Sequence, residues 1–357
     1  MERLAAHRRQ LFSLLPAGLA FHHCGNPAAN IRVQHIYCLP VLMSGLASLV
    51  LSKAEIKVIS NYYKTNLIKL MKLLHRTPDP AIFFLAGTLP AEAQLHLRQF
   101  TLFNMICHLK QNILNEVAVR SLSVSYSKST SWFHQVRSLC QQYDLLDPLS
   151  MLHNPPSKGL FRDQCRSKTY EYWHKKLTFE ARALPSLRFL NTSFLTLTLP
   201  HPIWTSLDGN PYQAKAANIQ ALFLSGRYRT EKMRRFWTQN RLGICLLEPC
   251  SDLKLIEDRT HVLLRCAALK ETRRRLFLKL RVLIAEMPLL SPIINEYLFS
   301  SDDDVRMQFL LDCSTLPLVI DAYQNFGPVI HQCLFKFTRT WCRSIHQKRL
   351  AMLGRFQ

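Results

Sequence analysis

The 357-residue chain is 48% hydrophobic and carries 46 Lys and Arg against 24 Asp and Glu, a formal charge of +22. That apolar content is enough to bury a core, which excludes an intrinsically disordered chain, and the length suits two or three packed domains. The cationic excess is out of place on an enzyme for small neutral substrates. It suits a phosphate backbone, where each neutralised phosphate releases condensed counterions.

Residues 3–15 read as a helix with Leu4, Leu11, Phe12 and Leu15 on one side, stopped by Pro16. Arg8 and Arg9 ahead of an apolar run resemble a secretion signal, but Pro16 interrupts that run and secretion is not expected. Residues 18–29 read as a loop. The apolar stretch 37–52 contains Pro40 and Gly45 and is too short to span a bilayer, so it reads as a buried segment and no membrane partner is expected. Ser52-Lys53-Ala54-Glu55 is a capping box. The helix it opens carries Ile56, Ile59, Tyr63, Leu67, Leu70, Met71 and Leu74 at helical spacing, and Thr77-Pro78-Asp79-Pro80 should end it. Pro90 opens another helix bearing Leu95, Phe103 and Ile106.

The serine-rich stretch 122–131 reads as an exposed linker. Helices are expected over 132–143, 161–183, 213–224, 270–285 and about 329–353. The Leu/Thr alternation at 194–199 predicts a short strand. The fold class is therefore mostly α, with a small β element near the cysteines. The expected divisions are a helical domain at 1–121, a helical connector at 122–212, a basic cysteine-containing region at 213–290 and a C-terminal helical segment at 291–357.

Eleven scattered cysteines without disulfide-like spacing indicate a reducing, intracellular compartment. Four soft ligands, Cys245, Cys250, His261 and Cys266, form a Cys-x4-Cys-x10-His-x4-Cys array that can close a tetrahedral zinc site within 22 residues. Four protein ligands leave no position for a reactive water, so the expected zinc is structural. The alternative is four separately buried residues in a chain of 11 Cys and 14 His. His22, His23, Cys24, His35 and Cys38 match no metal spacing, and Cys342 with His346 read as packing residues.

Arg227, Tyr228, Arg229, Lys232, Arg234, Arg235, Phe236 and Trp237 interleave cations with aromatic rings, and Arg273, Arg274 and Arg275 follow the cysteine array. Arginine forks fit phosphates and rings stack on bases, which makes Arg227, Tyr228, Arg229, Lys232, Arg234, Arg235, Trp237, Arg273, Arg274 and Arg275 candidate nucleic-acid contacts, with Trp237 or Tyr228 as the stacking ring. The competing reading is a solvated face with buried aromatics. Arg339, Arg343, Lys348, Arg349 and Arg355 prolong the basic character and fit either reading. Asp302, Asp303 and Asp304 are adjacent, so they diverge where two-metal chemistry needs convergence, and they read as a loop or helix start. There is no glycine-rich phosphate loop and no nucleophile elbow, and nothing singles out a Cys–His nucleophile.

Arg8 to Leu15, Ala17-Gly18-Leu19 and the run Ile36-Tyr37-Cys38-Leu39-Pro40-Val41-Leu42-Met43-Ser44-Gly45-Leu46 resemble the segment after the palm in LINE-type, non-LTR retrotransposon reverse transcriptases. Ser225 to Tyr228, the Cys245–Cys266 array and the arginines beyond it resemble the zinc knuckle of that family. The resemblance spans most of the chain and is weakest over 130–215. It implies a helical thumb gripping a template–primer duplex, a zinc region holding RNA or DNA, and residence in the nucleus or cytoplasm. The family's catalytic aspartates, including a Phe/Tyr-x-Asp-Asp turn, have no match here, so polymerisation would need a palm supplied by the rest of a reverse transcriptase. Two other readings stay open: a zinc-stabilised helical adaptor that binds proteins, and a decayed retroelement relic.

Overall fold

The computed structural model describes residues 2–16, 25–109, 112–124, 131–236, 238 and 242–354. Helix accounts for 72% of it, and no strand forms among the described residues. The β pairing described there is an isolated antiparallel bridge, Ile244 to Ile256, inside the cysteine array. No helix among the described residues is long and apolar enough to cross a membrane.

The first helix, Glu2–Ser13, packs on the segment Gln34–Met43. Within 37–52, Cys38, Leu39, Leu42, Met43 and Leu46 are buried, while Tyr37, Leu49 and Val50 at its ends stay about half exposed. Helix Pro27–Val33 occupies the end of the expected 18–29 loop, and residues 17–24 lie outside the described residues. The capping box forms: the Glu55 amide donates to Ser52 Oγ at 3.3 Å, and the Ser52 amide donates to the Glu55 carboxylate at 2.8 Å. Its helix, Lys53–Leu70, stops earlier than expected. Lys72 turns left-handed (φ 53°) and breaks the ladder before the prolines are reached. Pro78 and Pro80 instead start a second helix, Asp79–Ala86. Every residue from Pro80 to Ala86 is buried, so no amphipathic period marks this helix in the sequence.

Gly87 ends that helix at φ 61°, and a Cβ there would stand 1.9 Å from the Leu199 carbonyl oxygen. The 194–199 segment is thus pressed against a helix end, and the His201 amide donates to the Leu85 carbonyl at 3.1 Å. With no second strand beside it, the Leu/Thr alternation makes no strand. Leu195 and Leu197 are buried through a 3₁₀ turn and coil.

Helices Ala91–Cys107 and Lys158–Arg182 pack together around Tyr143, which follows helix Trp132–Gln142. Tyr143 Oη accepts from Trp173 Nε1 at 2.9 Å and shares a 2.7 Å hydrogen bond with His96 Nδ1. Helix Ile113–Ser123 takes the first residues of the expected serine-rich linker, and residues 125–130 lie outside the described residues.

The C-terminal helix, Val329–Met352, is the axis of the second half. Helices Pro211–Leu224, Lys270–Glu286, Asp303–Leu311 and Pro317–Phe326 all pack against it. Two of its arginines are not a solvated face. Arg339 donates to Ser206 Oγ at 2.8 Å and to the Ile203 and Ser206 carbonyls, and Arg349 pairs with Glu257; both are 1% exposed. Arg343 is half-buried against the Tyr212 carbonyl, Lys348 is exposed, and Arg355 lies outside the described residues. Cys342 is buried as a packing residue. Asp302 caps helix Asp303–Leu311 by accepting from the Asp304 amide at 2.8 Å, as its position at a helix start requires.

Candidate metal centre and basic surface

Residues 243–257 fold back on themselves. The Cys245 amide donates to the Leu255 carbonyl at 2.8 Å, Leu255 to Cys250 at 3.1 Å and Glu257 to Gly243 at 2.9 Å. These bonds turn Cys245 and Cys250 inward from one small loop. The second ligand pair comes from a single π turn, His261–Arg265, closed by the Cys266 amide on the His261 carbonyl at 2.7 Å. A π turn bonds residues five apart, so His261 and Cys266 stack on one side of it. Asp258 starts the turn by accepting from the His261 amide at 2.8 Å.

All four side chains are buried, and their ligand atoms lie within 4.8 Å of one another. Cys266 Sγ is 3.9 Å from both Cys245 Sγ and Cys250 Sγ. A tetrahedral ion with bonds of about 2.3 Å to sulfur needs sulfur–sulfur edges near 3.8 Å, whereas a disulfide needs about 2.05 Å. His261 Nε2 is buried without a hydrogen-bond partner, and coordination would satisfy that lone polar atom. The group therefore has the chemistry and spacing to hold a metal ion. Donation to Cys266 and burial push the Cys245 thiol up, while that donated bond, with His261 nearby, holds Cys266 well below the usual thiol range.

Of the arginines after the array, Arg273 turns inward. Its Nη2 donates to the Cys266 carbonyl at 2.5 Å, and burial lowers its pKa. It braces the loop and is half-buried, less open to a polyanion than the two arginines that follow it. Arg274 and Arg275 remain exposed on helix Lys270–Glu286, 3.8 and 3.3 Å from Glu271.

The cluster before the array also divides. Helix Pro211–Leu224 ends at Gly226, left-handed at φ 68°, and the amides of Arg227 and Tyr228 both return to the Leu222 carbonyl at 2.9 and 2.8 Å. That reversal carries Tyr228 inward, where it stacks on Phe223 with centroids 3.6 Å apart and bonds to His346 Nδ1 at 2.9 Å. Tyr228 is 3% exposed and is not a base-stacking residue. Trp237 lies outside the described residues. Arg227 is half-buried, and Arg234 is 3.4 Å from Glu231. Arg229, Lys232 and Arg235 are exposed, without an ion-pair partner among the described residues.

Sequence reasoning missed the clamp that fixes this surface. Glu257 is buried and accepts from Arg349 Nε at 2.8 Å, from Arg349 Nη2 at 2.7 Å and from the Glu231 amide at 2.6 Å. Its carbonyl accepts from the Lys232 amide at 3.2 Å. Short helix Glu231–Arg235 is thereby tied to the cysteine loop from one side and to the C-terminal helix from the other. The available signal was Glu257 itself, the one glutamate between Glu248 and Glu271.

No protein-family model, no curated protein and no solved structure matches this chain.

Proposed function

We propose that this chain binds nucleic acid through a basic surface held in shape by a structural zinc ion at Cys245, Cys250, His261 and Cys266. The observation that carries the reading is the hydrogen-bonded attachment of the Glu231–Arg235 helix to Glu257. It anchors exposed Lys232 and Arg235 to the cysteine loop, while Arg274 and Arg275 project from the helix that leaves it. Three thiols and an imidazole suit zinc better than a hard cation, and with four protein ligands the ion cross-links the loop without opening a site for chemistry. The net charge of +22 supports a polyanionic partner.

The resemblance to LINE-type reverse transcriptases supports the same reading. In it, residues 1–121 act as the thumb-like helical domain against a duplex backbone, and the zinc region holds RNA or DNA. Without palm aspartates the chain does not polymerise by itself and works beside the rest of a reverse transcriptase, in the nucleus or cytoplasm. Gel shifts across a salt series test this. Affinity should fall steeply with salt; binding indifferent to salt, or none at micromolar protein, contradicts it.

A second reading, a zinc-stabilised protein adaptor, is favoured by exposed Ile113, Leu114 and Val117 at helical spacing on Ile113–Ser123. A pulldown partner that persists after nuclease treatment supports it.

A further inference from the structure

The turn after helix Lys53–Leu70 and the turn after helix Pro211–Leu224 meet across an open cleft of about 500 Å³, lined by Leu74, His75, Arg76, Arg227, Arg229 and Phe236. Three guanidinium groups from segments some 150 residues apart in the chain share this cleft, and no carboxylate lines it. None of the three arginines has an ion-pair partner among the described residues. Arg227, half-buried, has its Nε buried with no hydrogen-bond partner. Burial, and then the charge of Arg76, hold the Arg227 guanidinium below its ordinary range. Like charges gathered without a counter-charge cost free energy that a bound anion relieves. Gly226 fixes the geometry: its φ of 68° and the Ser186 carbonyl oxygen, 2.6 Å from where a Cβ would stand, admit no side chain.

The fourth element is aromatic. Phe236 closes one side of the cleft and is 74% exposed. A ring left in water beside arginines offers a base a stacking surface while the arginine forks hold the adjoining phosphate. Inorganic phosphate would use the arginines and leave the ring idle. A base-paired duplex keeps its base faces stacked on each other and away from the ring.

We propose that Arg76, Arg227 and Arg229 form a phosphate clamp for single-stranded nucleic acid, with Phe236 as the stacking surface for the neighbouring base. The inference rests on the nucleic-acid reading above and deepens it, adding Arg76 and Phe236 as binding residues and a single strand as the ligand. Arg76 and Phe236 are exposed, so their replacement leaves the core untouched.

Fluorescence anisotropy of the full chain with a labelled single-stranded oligonucleotide, its abasic counterpart and its duplex tests the clamp. Arg76→Ala should weaken single-strand binding about tenfold and flatten the salt slope by about 0.7 for each phosphate it no longer neutralises. Phe236→Ala should weaken it about tenfold without changing the slope, and should have no effect on the abasic strand. Arg162→Ala removes one exposed charge elsewhere and should change affinity less than about twofold. If both cleft variants bind the single strand like the unmodified chain, the clamp is wrong while the nucleic-acid reading stands. If Phe236→Ala is silent and tripolyphosphate competes as well as the oligonucleotide, the cleft is a plain anion site and the proposal is overturned. If the unmodified chain binds no oligonucleotide at micromolar concentration, both readings fall.

Discussion

Arg349 and Glu257 form a bidentate pair at 2.7 and 2.8 Å with their side chains 2% and 1% exposed, joining the C-terminal helix to the cysteine loop. The pair also orders the basic surface, because the same carboxylate receives the Glu231 amide. Removing Arg349 leaves the Glu257 carboxylate buried without its cation, and removing Glu257 leaves buried Arg349 with the more distant Glu231 carboxylate at 3.9 Å. Arg349→Ala or Glu257→Ala should each cost about 3–5 kcal/mol of stability. Denaturant titration reads this directly, and a loss under about 1 kcal/mol would mean that the pair is not closed in solution.

Metal removal should loosen the same region. A strong chelator is expected to release one zinc per chain, expose three thiols to a thiol reagent and lower the melting temperature. Cys250→Ser should bind no zinc and melt like the stripped chain. Structural zinc contributes on the order of 10 kcal/mol to small zinc-dependent folds, so even a fraction of that is visible calorimetrically. Full-strength binding of zinc by Cys250→Ser would contradict the ligand set.

Acid should destabilise the first half through its buried histidines. Burial depresses His35 and His96 to about 4 from 6.5, while His35 Nε2 contacts Tyr63 Oη at 2.7 Å and His96 contacts Tyr143. Each folded-state pKa lies below its unfolded value, so the unfolded chain takes up protons first as pH falls. The stability these groups contribute is complete above about pH 6.5 and is lost between there and pH 4, with a slope of about 1.4 kcal/mol per pH unit per group. His96→Gln should flatten that slope, whatever acid does to the metal ligands. An unchanged slope would show that His96 titrates normally.

Two glycines separate conformational from steric cost. At Gly209, φ is 82° and nothing lies within 4 Å of an added Cβ, so Gly209→Ala should cost only about 1 kcal/mol. At Gly87, φ is 61° and the Leu199 carbonyl oxygen stands 1.9 Å away, so Gly87→Ala should cost several times as much. Equal losses in denaturant titrations would mean that the Leu199 segment can move aside.

Where local chemistry decides, the sequence was a good guide. Ser52 and Glu55 cap their helix, Asp302 caps another, and four metal-type ligands gather from a spacing that a loop and one π turn can satisfy. Long-range packing was not legible. Arg339 and Arg349 look like solvated cations until Ser206 and Glu257 arrive from 133 and 92 residues away. Tyr228 resembles an exposed ring until the Gly226 turn folds it onto Phe223. The Asp79–Ala86 helix shows no periodicity because Pro80 to Ala86 are all buried, and the 194–199 alternation lacks a partner strand. The cleft at Arg76 and Arg227 joins two turns that no local pattern relates.

The most direct test of the central claim is equilibrium binding of an RNA or DNA oligonucleotide to zinc-loaded and chelator-stripped protein across a salt series. The account predicts that the loaded chain binds with a steep inverse dependence on salt, and that stripping the ion weakens binding at least about tenfold as Lys232 and Arg235 lose their anchored positions. Binding of equal strength with and without the ion, or a flat salt dependence, would contradict it.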